Sequence, residues 1–161
     1  MNIEFFVPGT PVPYATDRGF GGRTLKKESV KAYQSRVLAI ALPKLPKKYE
    51  GVIALDVVAV FKRPQRLMRK MDPDGLLDHP IKPDADNIVK AVQDAILGPN
   101  AALFLDWPDD CAVVSGERAK FFAPKGVDSF TYVRIYTPEP AQERWDRLVG
   151  SALMPGTGVL L

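Results

Sequence analysis

The sequence predicts a single α+β domain: a mixed or largely antiparallel sheet carrying two packed helices, with a further helix toward the C-terminal end. Three observations lead there. Short β-branched runs and segments of helical period alternate along the chain, so strands and helices must share one core. The 161 residues suffice for one domain of ordinary size and fall short of two. A composition of 46% apolar and 25% charged residues is that of an average globular chain, and excludes a disordered or fibrous one.

The elements follow in order. Ile3 to Val7 reads as a short strand, closed by the breaker cluster Pro8-Gly9-Thr10-Pro11-Val12-Pro13. Tyr14 to Lys27, with three glycines beside Arg18, Arg23, Lys26 and Lys27, is expected to be a mobile basic loop. From Glu28 to Leu42, Val30, Tyr33, Val37, Ile40 and Ala41 recur at three- and four-residue spacing until Pro43 ends the pattern, which predicts the first helix. Val52 to Phe61 is dense in β-branched residues and reads as a buried strand, in which the charge of Asp56 has no evident partner. A long loop comes next, basic at first (Lys62, Arg63, Arg66, Arg69, Lys70) and then acidic (Asp72, Asp74, Asp78); such lengths accompany functional segments.

The second helix is expected over Ala85–Leu97, opened by Pro83-Asp84 and stopped by Gly98-Pro99. Strands at about 112–122 and 130–136, separated by Pro124-Lys125-Gly126, are expected to form a hairpin. Beyond Pro138, Ala141, Trp145, Leu148, Val149 and Ala152 make one apolar stripe of a terminal helix, and residues 154–161 are expected to fray. The expected division is a domain over 1–137 followed by a helix and tail over 138–161.

Several classes are excluded early. One cysteine, Cys111, cannot form an intrachain disulfide, and no cysteines and histidines cluster at zinc-ligand spacing, which suits a reduced, cytoplasmic protein. The longest apolar run, Val37 to Leu42, is far shorter than the ~20 residues of a membrane span. The opening Met1-Asn2-Ile3-Glu4 lacks the basic start of a secretory signal. Charge is more telling than its total of +3: residues 1–70 hold 14 Lys and Arg against 5 Asp and Glu, whereas 71–110 hold 2 against 9. A half suited to a polyanion sits beside a centre that repels one, unless a cation lies between them.

That acidic centre carries the chemistry. At ~100° per residue, Ile88, Val92, Ala95 and Ile96 cluster on one face of the second helix, and Asp86, Lys90 and Asp94 stack on the opposite face. Asp84 falls at the N-cap, where the helix dipole favours carboxylates, so Asp84 and Asp86 can both be ionised there. Paired carboxylates without thiols suit a hard divalent ion, magnesium or alternatively manganese. A second pair, Asp109-Asp110, precedes the third strand; if its turn meets the start of the second helix, the carboxylates converge as metal-assisted phosphodiester hydrolysis requires, with Lys90 to neutralise phosphate charge. Taken singly, each feature has an ordinary reading: Asp84 and Asp86 as a cap and its solvated neighbour, Asp109-Asp110 as a turn, Lys90 as an i,i+4 partner of Asp86 and Asp94, and His79 as a loop residue. Their conjunction favours the functional one.

Lys82-Pro83-Asp84-x-Asp86-Asn87-x-x-Lys90-x-x-x-Asp94-Ala95, followed by Asp109-Asp110-x-x-Val113, resembles the RusA family of Holliday-junction resolvases. Val7-Pro8-Gly9-x-Pro11 with its basic loop, His79 and the expected closing hairpin extend the likeness over about residues 3–137. The resemblance implies a RusA-like fold and a magnesium-dependent, homodimeric endonuclease that cuts four-way DNA junctions symmetrically, leaving 5′-phosphate and 3′-hydroxyl ends. It implies Asp84, Asp86 and Asp110 as metal-binding and catalytic carboxylates, Asp109 as an auxiliary ligand, and Lys90 as the catalytic lysine. The segment from Gly98 to Pro108 is longer than is usual in the family and holds Asp106, so Asp106, Asp109 and Asp110 all stand as candidates to face the metal. Arg18, Arg23, Lys26, Lys27, Arg63, Arg66 and Arg69 are the expected contacts to the DNA backbone. A catalytically silent DNA-binding protein of the same fold, or a nuclease for flaps and other branched DNA, is the alternative.

Overall fold

The computed structural model describes residues 1–18 and 24–149. In chain order it contains β1 (Asn2–Pro8), β2 (Thr16–Arg18), β3 (Thr24–Lys26), α1 (Glu28–Ala41), β4 (Ile53–Phe61), β5 (Leu77–Asp78), α2 (Ala85–Leu97), β6 (Val113–Ser115), β7 (Arg118–Phe122), β8 (Phe130–Tyr136) and α3 (Ala141–Val149). The main sheet runs β1-β8-β4-β7-β5, with β6 pairing the start of β4. It is mixed: β6 and β7 lie parallel to β4, while the other pairings are antiparallel.

β4 organises this sheet because seven of its nine residues are buried, on both faces. A strand of that kind needs a neighbour on each edge. β8 takes one edge and β7 the other, so the two strands expected to form a hairpin are separated by β4 and never pair. The linker between them is tied across the end of β4, where Ala123 N–H donates to Phe61 O (2.8 Å) and Lys62 N–H to Ser129 Oγ (2.7 Å). Gly116 divides β6 from β7. Its φ is +153°, and an added Cβ would lie 1.9 Å from Leu55 O, so only glycine fits against β4 there.

That break accounts for Asp56. Its Oδ1 accepts the Glu117 N–H (2.8 Å) and the Tyr136 hydroxyl (3.2 Å), and Arg134 lies 3.9 Å from Oδ2, so a 9%-exposed charge is held by two hydrogen bonds and a nearby guanidinium. Burial first, and Asp56 second, push the Tyr136 phenol above its ordinary pKa.

α1 and α2 pack side by side on one face of the sheet. Val37, Leu38 and Ala41 from α1 and Ile88, Val92 and Ile96 from α2 meet Val7, Leu55, Val57 and Val133 in one apolar cluster. The opposite face presents Phe6, Phe130 and Tyr132, whose rings lie 5.3–5.6 Å from Phe6. α3 buries none of its side chains.

Two further expectations change. The basic segment after Tyr14 is no plain loop: β2 and β3 pair as a two-stranded ribbon with Thr16 opposite Lys26 and Asp17 opposite Leu25. The long loop after β4 holds a 3-10 turn at Gln65–Leu67 and the short β5, which pairs with β7. At its centre is Arg63, 5% exposed, whose guanidinium donates to the carbonyls of Ala123 (3.0 Å), Leu67, Pro73 and Gly75. Arg63 therefore holds the loop together and does not reach out to DNA. His79 is likewise part of the interior, stacked between Phe61 and Phe122 with ring centroids at 4.5 and 4.3 Å.

Candidate functional site

α2 is the spine of the site, and it forms where the start and stop residues place it. Asp84 occupies its N-cap in extended conformation without making a side-chain cap bond, and Asp86 stands in the first turn. Both carboxylates are exposed. The segment leading into them is anchored by Lys120, whose ammonium donates to Ile81 O (2.8 Å) and Pro83 O (2.7 Å). Tyr14 N–H donates to Asn87 O (2.7 Å), tying the foot of the ribbon to the same helix start. Asp86 pairs with Arg118 at 2.9 Å.

One turn on, the Lys90 ammonium lies 3.2 Å from Asp94 and 4.9 Å from the centre of the Tyr14 ring. Asp94 is mostly buried and also holds Lys26 at 3.0 Å, and Lys26 reaches Gln34 as well. Lys26 thus joins the ribbon to both helices, a structural role in the DNA-free protein. Lys27 pairs with Asp17 across the ribbon at 3.4 Å, and Arg66 and Arg69 are exposed. Arg18 closes β2, while Arg23 lies outside the described residues.

The second acidic pair approaches the same helix face further along. Gln93 Nε2 donates to Asp110 O at 3.1 Å, docking the 3-10 turn Asp110–Ala112 on α2. At ~100° and ~1.5 Å per residue, Asp86, Lys90 and Gln93 fall within about 60° of one another, with Gln93 about 10 Å beyond Asp86 along the axis. The turn that carries Asp110 therefore docks on the helix face that also carries Asp86 and Lys90. Among the described residues, one group of three such side chains, Asp109, Asp110 and Cys111, has its ligand atoms all within 4.8 Å of one another, and Asp84 and Asp86 are not members of it.

The three candidate acids of this region separate clearly. Asp106 is held by the segment between α1 and β4: its N–H donates to Lys47 O (2.8 Å) and its carboxylate sits 3.8 Å from Lys48. Asp109 accepts the Cys111 N–H (3.0 Å), capping the 3-10 turn. Asp110 has only its backbone carbonyl engaged by Gln93. Asp109 first, and Asp110 next, raise the Cys111 thiol pKa, which registers the negative field in this turn. Arg118, Lys120, Gln93 and Tyr14 had no functional reading from sequence. The period-two spacing of Arg118 and Lys120 on a strand, and the place of Gln93 on the Asp86 and Lys90 face, are the signals that point to three of them.

Compared with known protein families, residues 6–146 match Endodeoxyribonuclease RusA. The chain belongs to the RusA endodeoxyribonuclease family. The match runs from within β1 to within α3, so both acidic pairs, Lys90 and the main sheet apart from the first residues of β1 fall inside it. No curated protein matches the chain in a whole-sequence comparison. Membership of the RusA family makes this protein a DNA-cleaving hydrolase, and no helix among the described residues is long and apolar enough to cross a membrane.

Proposed function

We propose that this RusA-family protein is a magnesium-dependent, structure-selective endonuclease that resolves four-way DNA junctions by paired, symmetric phosphodiester hydrolysis as a homodimer. The observation that carries the reading is the polar face of α2, with Asp84 and Asp86 at its start, Lys90 one turn on, and Asp110 docked beyond through Gln93. The donors fit a hard ion: they are exposed carboxylate oxygens, and the Asp109-Asp110 turn already concentrates negative charge. Asp84, Asp86 and Asp110 would hold magnesium or manganese, with Asp109 supporting the turn that carries Asp110. Such an ion supplies an activated water and a polarised phosphate for in-line attack.

The protein's own groups do the rest. Asp94 keeps the Lys90 ammonium at the helix face, where it faces a phosphate laid along α2. Arg66, Arg69, Lys27 and the ribbon grip the backbone without reading sequence, so selectivity comes from the shape of the DNA. A twofold dimer sets two identical sites on a roughly twofold substrate, from which paired nicks follow.

Incubating the protein with a synthetic four-way junction, a flap and a linear duplex, in magnesium and in EDTA, tests the reading. Symmetric nicks in the junction alone, lost in EDTA, are expected. Preferential flap cleavage would make it a nuclease for other branched DNA. Salt-sensitive binding without any magnesium-dependent product would make it a silent binder.

A further inference from the structure

Arg118 opens β7 directly opposite Val57 of β4. Cross-strand neighbours share a face of the sheet, and Val57 belongs to the core beneath the helices, so Arg118 and Lys120 both face the helix layer. Their uses differ. Lys120 spends its ammonium on two backbone carbonyls that position the segment before Asp84. Arg118 reaches the Asp86 carboxylate at 2.9 Å, and both side chains are well exposed, at 64% and 70%. The pair joins a strand to the acid at the head of α2, whereas the exposed pairs Lys31–Glu28 and Lys48–Glu50 each bind one short segment to itself.

We propose that Arg118 is a phosphate-contacting residue of the cleavage site, held on Asp86 in the DNA-free protein and transferred to a phosphate of the strand being cut. The inference rests on the junction-endonuclease reading. A guanidinium stays charged at every working pH, and its planar fork of donors matches a carboxylate and a phosphate equally well. A pair this exposed is weak, so exchanging one anion for the other costs little. In the DNA-free protein the guanidinium and a divalent cation compete for the same carboxylate, so Arg118 lowers the affinity of Asp86 for the cation, and a phosphate that draws the guanidinium away relieves the competition.

Two readouts on Arg118→Gln and Arg118→Lys test this. Manganese binding to the DNA-free protein, followed by electron paramagnetic resonance, should tighten about threefold or more in Arg118→Gln, because a cation beside the carboxylate is gone; Arg118→Lys, which keeps the charge, should bind manganese as the parent does. Single-turnover junction cleavage at saturating protein should fall about tenfold or more in Arg118→Gln and less in Arg118→Lys. Unchanged manganese affinity in Arg118→Gln would overturn the shared carboxylate, and an unchanged cleavage rate would overturn the phosphate contact. Thermal melting should match the parent in both variants; a large loss of stability would mark Arg118 as structural. If the parent protein cuts none of the DNA substrates, the functional reading fails together with the phosphate contact, while the manganese measurement still reports on the Arg118–Asp86 pair.

Discussion

Arg63 and Asp56 are charges inside the fold, and each is kept there by groups that only the folded chain assembles. Four carbonyls from the loop and from the β7–β8 linker converge on Arg63. Removing its guanidinium leaves one buried and three partly buried acceptors unpaired, so Arg63→Ala should cost about 3 kcal/mol of stability, read from urea unfolding. A residue acting only as a DNA contact would change junction affinity and leave the midpoint in place. Asp86 makes the opposite case, being exposed and outside the core. Asp86→Asn should abolish cleavage while the protein melts normally and still binds the junction, since a metal donor is lost and the fold is not; full cleavage by this variant would remove Asp86 from the site.

At the scale of elements, α2 depends on two attachments made by other parts of the chain. Lys120 fixes its entrance and Gln93 receives the Asp110 turn. Gln93→Ala should release that turn: cleavage is expected to fall severalfold with a stability change of less than about 1 kcal/mol, the usual scale of one exposed hydrogen bond. Equal activity in parent and variant would show that the Asp110 turn holds its place without Gln93. β6 and β7 depend on Gly116 in the same local sense. Gly116→Ala brings a Cβ onto the Leu55 carbonyl and should destabilise by about 2–4 kcal/mol, measured by thermal or urea unfolding. α2 itself was legible in the sequence because Asp84, the 3.6-residue apolar period and Gly98-Pro99 are all local signals, and the helix spans Ala85–Leu97 as they indicate. The ribbon β2–β3 was not legible, since glycines and basic residues in a row resemble a loop until their backbones pair.

For the whole molecule, the division of charge is the property that matters to DNA. The basic first 70 residues and the acidic middle are folded against each other, because Lys26 of the ribbon meets Asp94 of α2 and Lys48 meets Asp106. Part of the positive charge is therefore spent inside the protein, and only the remainder is available to phosphates. Junction binding should weaken steeply between low and physiological salt, with a slope set by Lys27, Arg66 and Arg69 and others still exposed; replacing Arg66 and Arg69 together by Ala should reduce that slope by about two, and an unchanged slope would exclude them as phosphate contacts.

The sequence by itself determined the α+β class, the two main helices and their apolar faces, and the family, because periodicity, caps and a short motif are properties of neighbouring residues. Tertiary structure decided the partners of β4, the burial of Arg63 and His79, and the different surroundings of Asp106, Asp109 and Asp110. It also decided where along α2 the second acidic pair docks. Those outcomes depend on pairings between residues far apart in the chain, and a strand or an acid does not carry in its own sequence the identity of the distant group that will satisfy it.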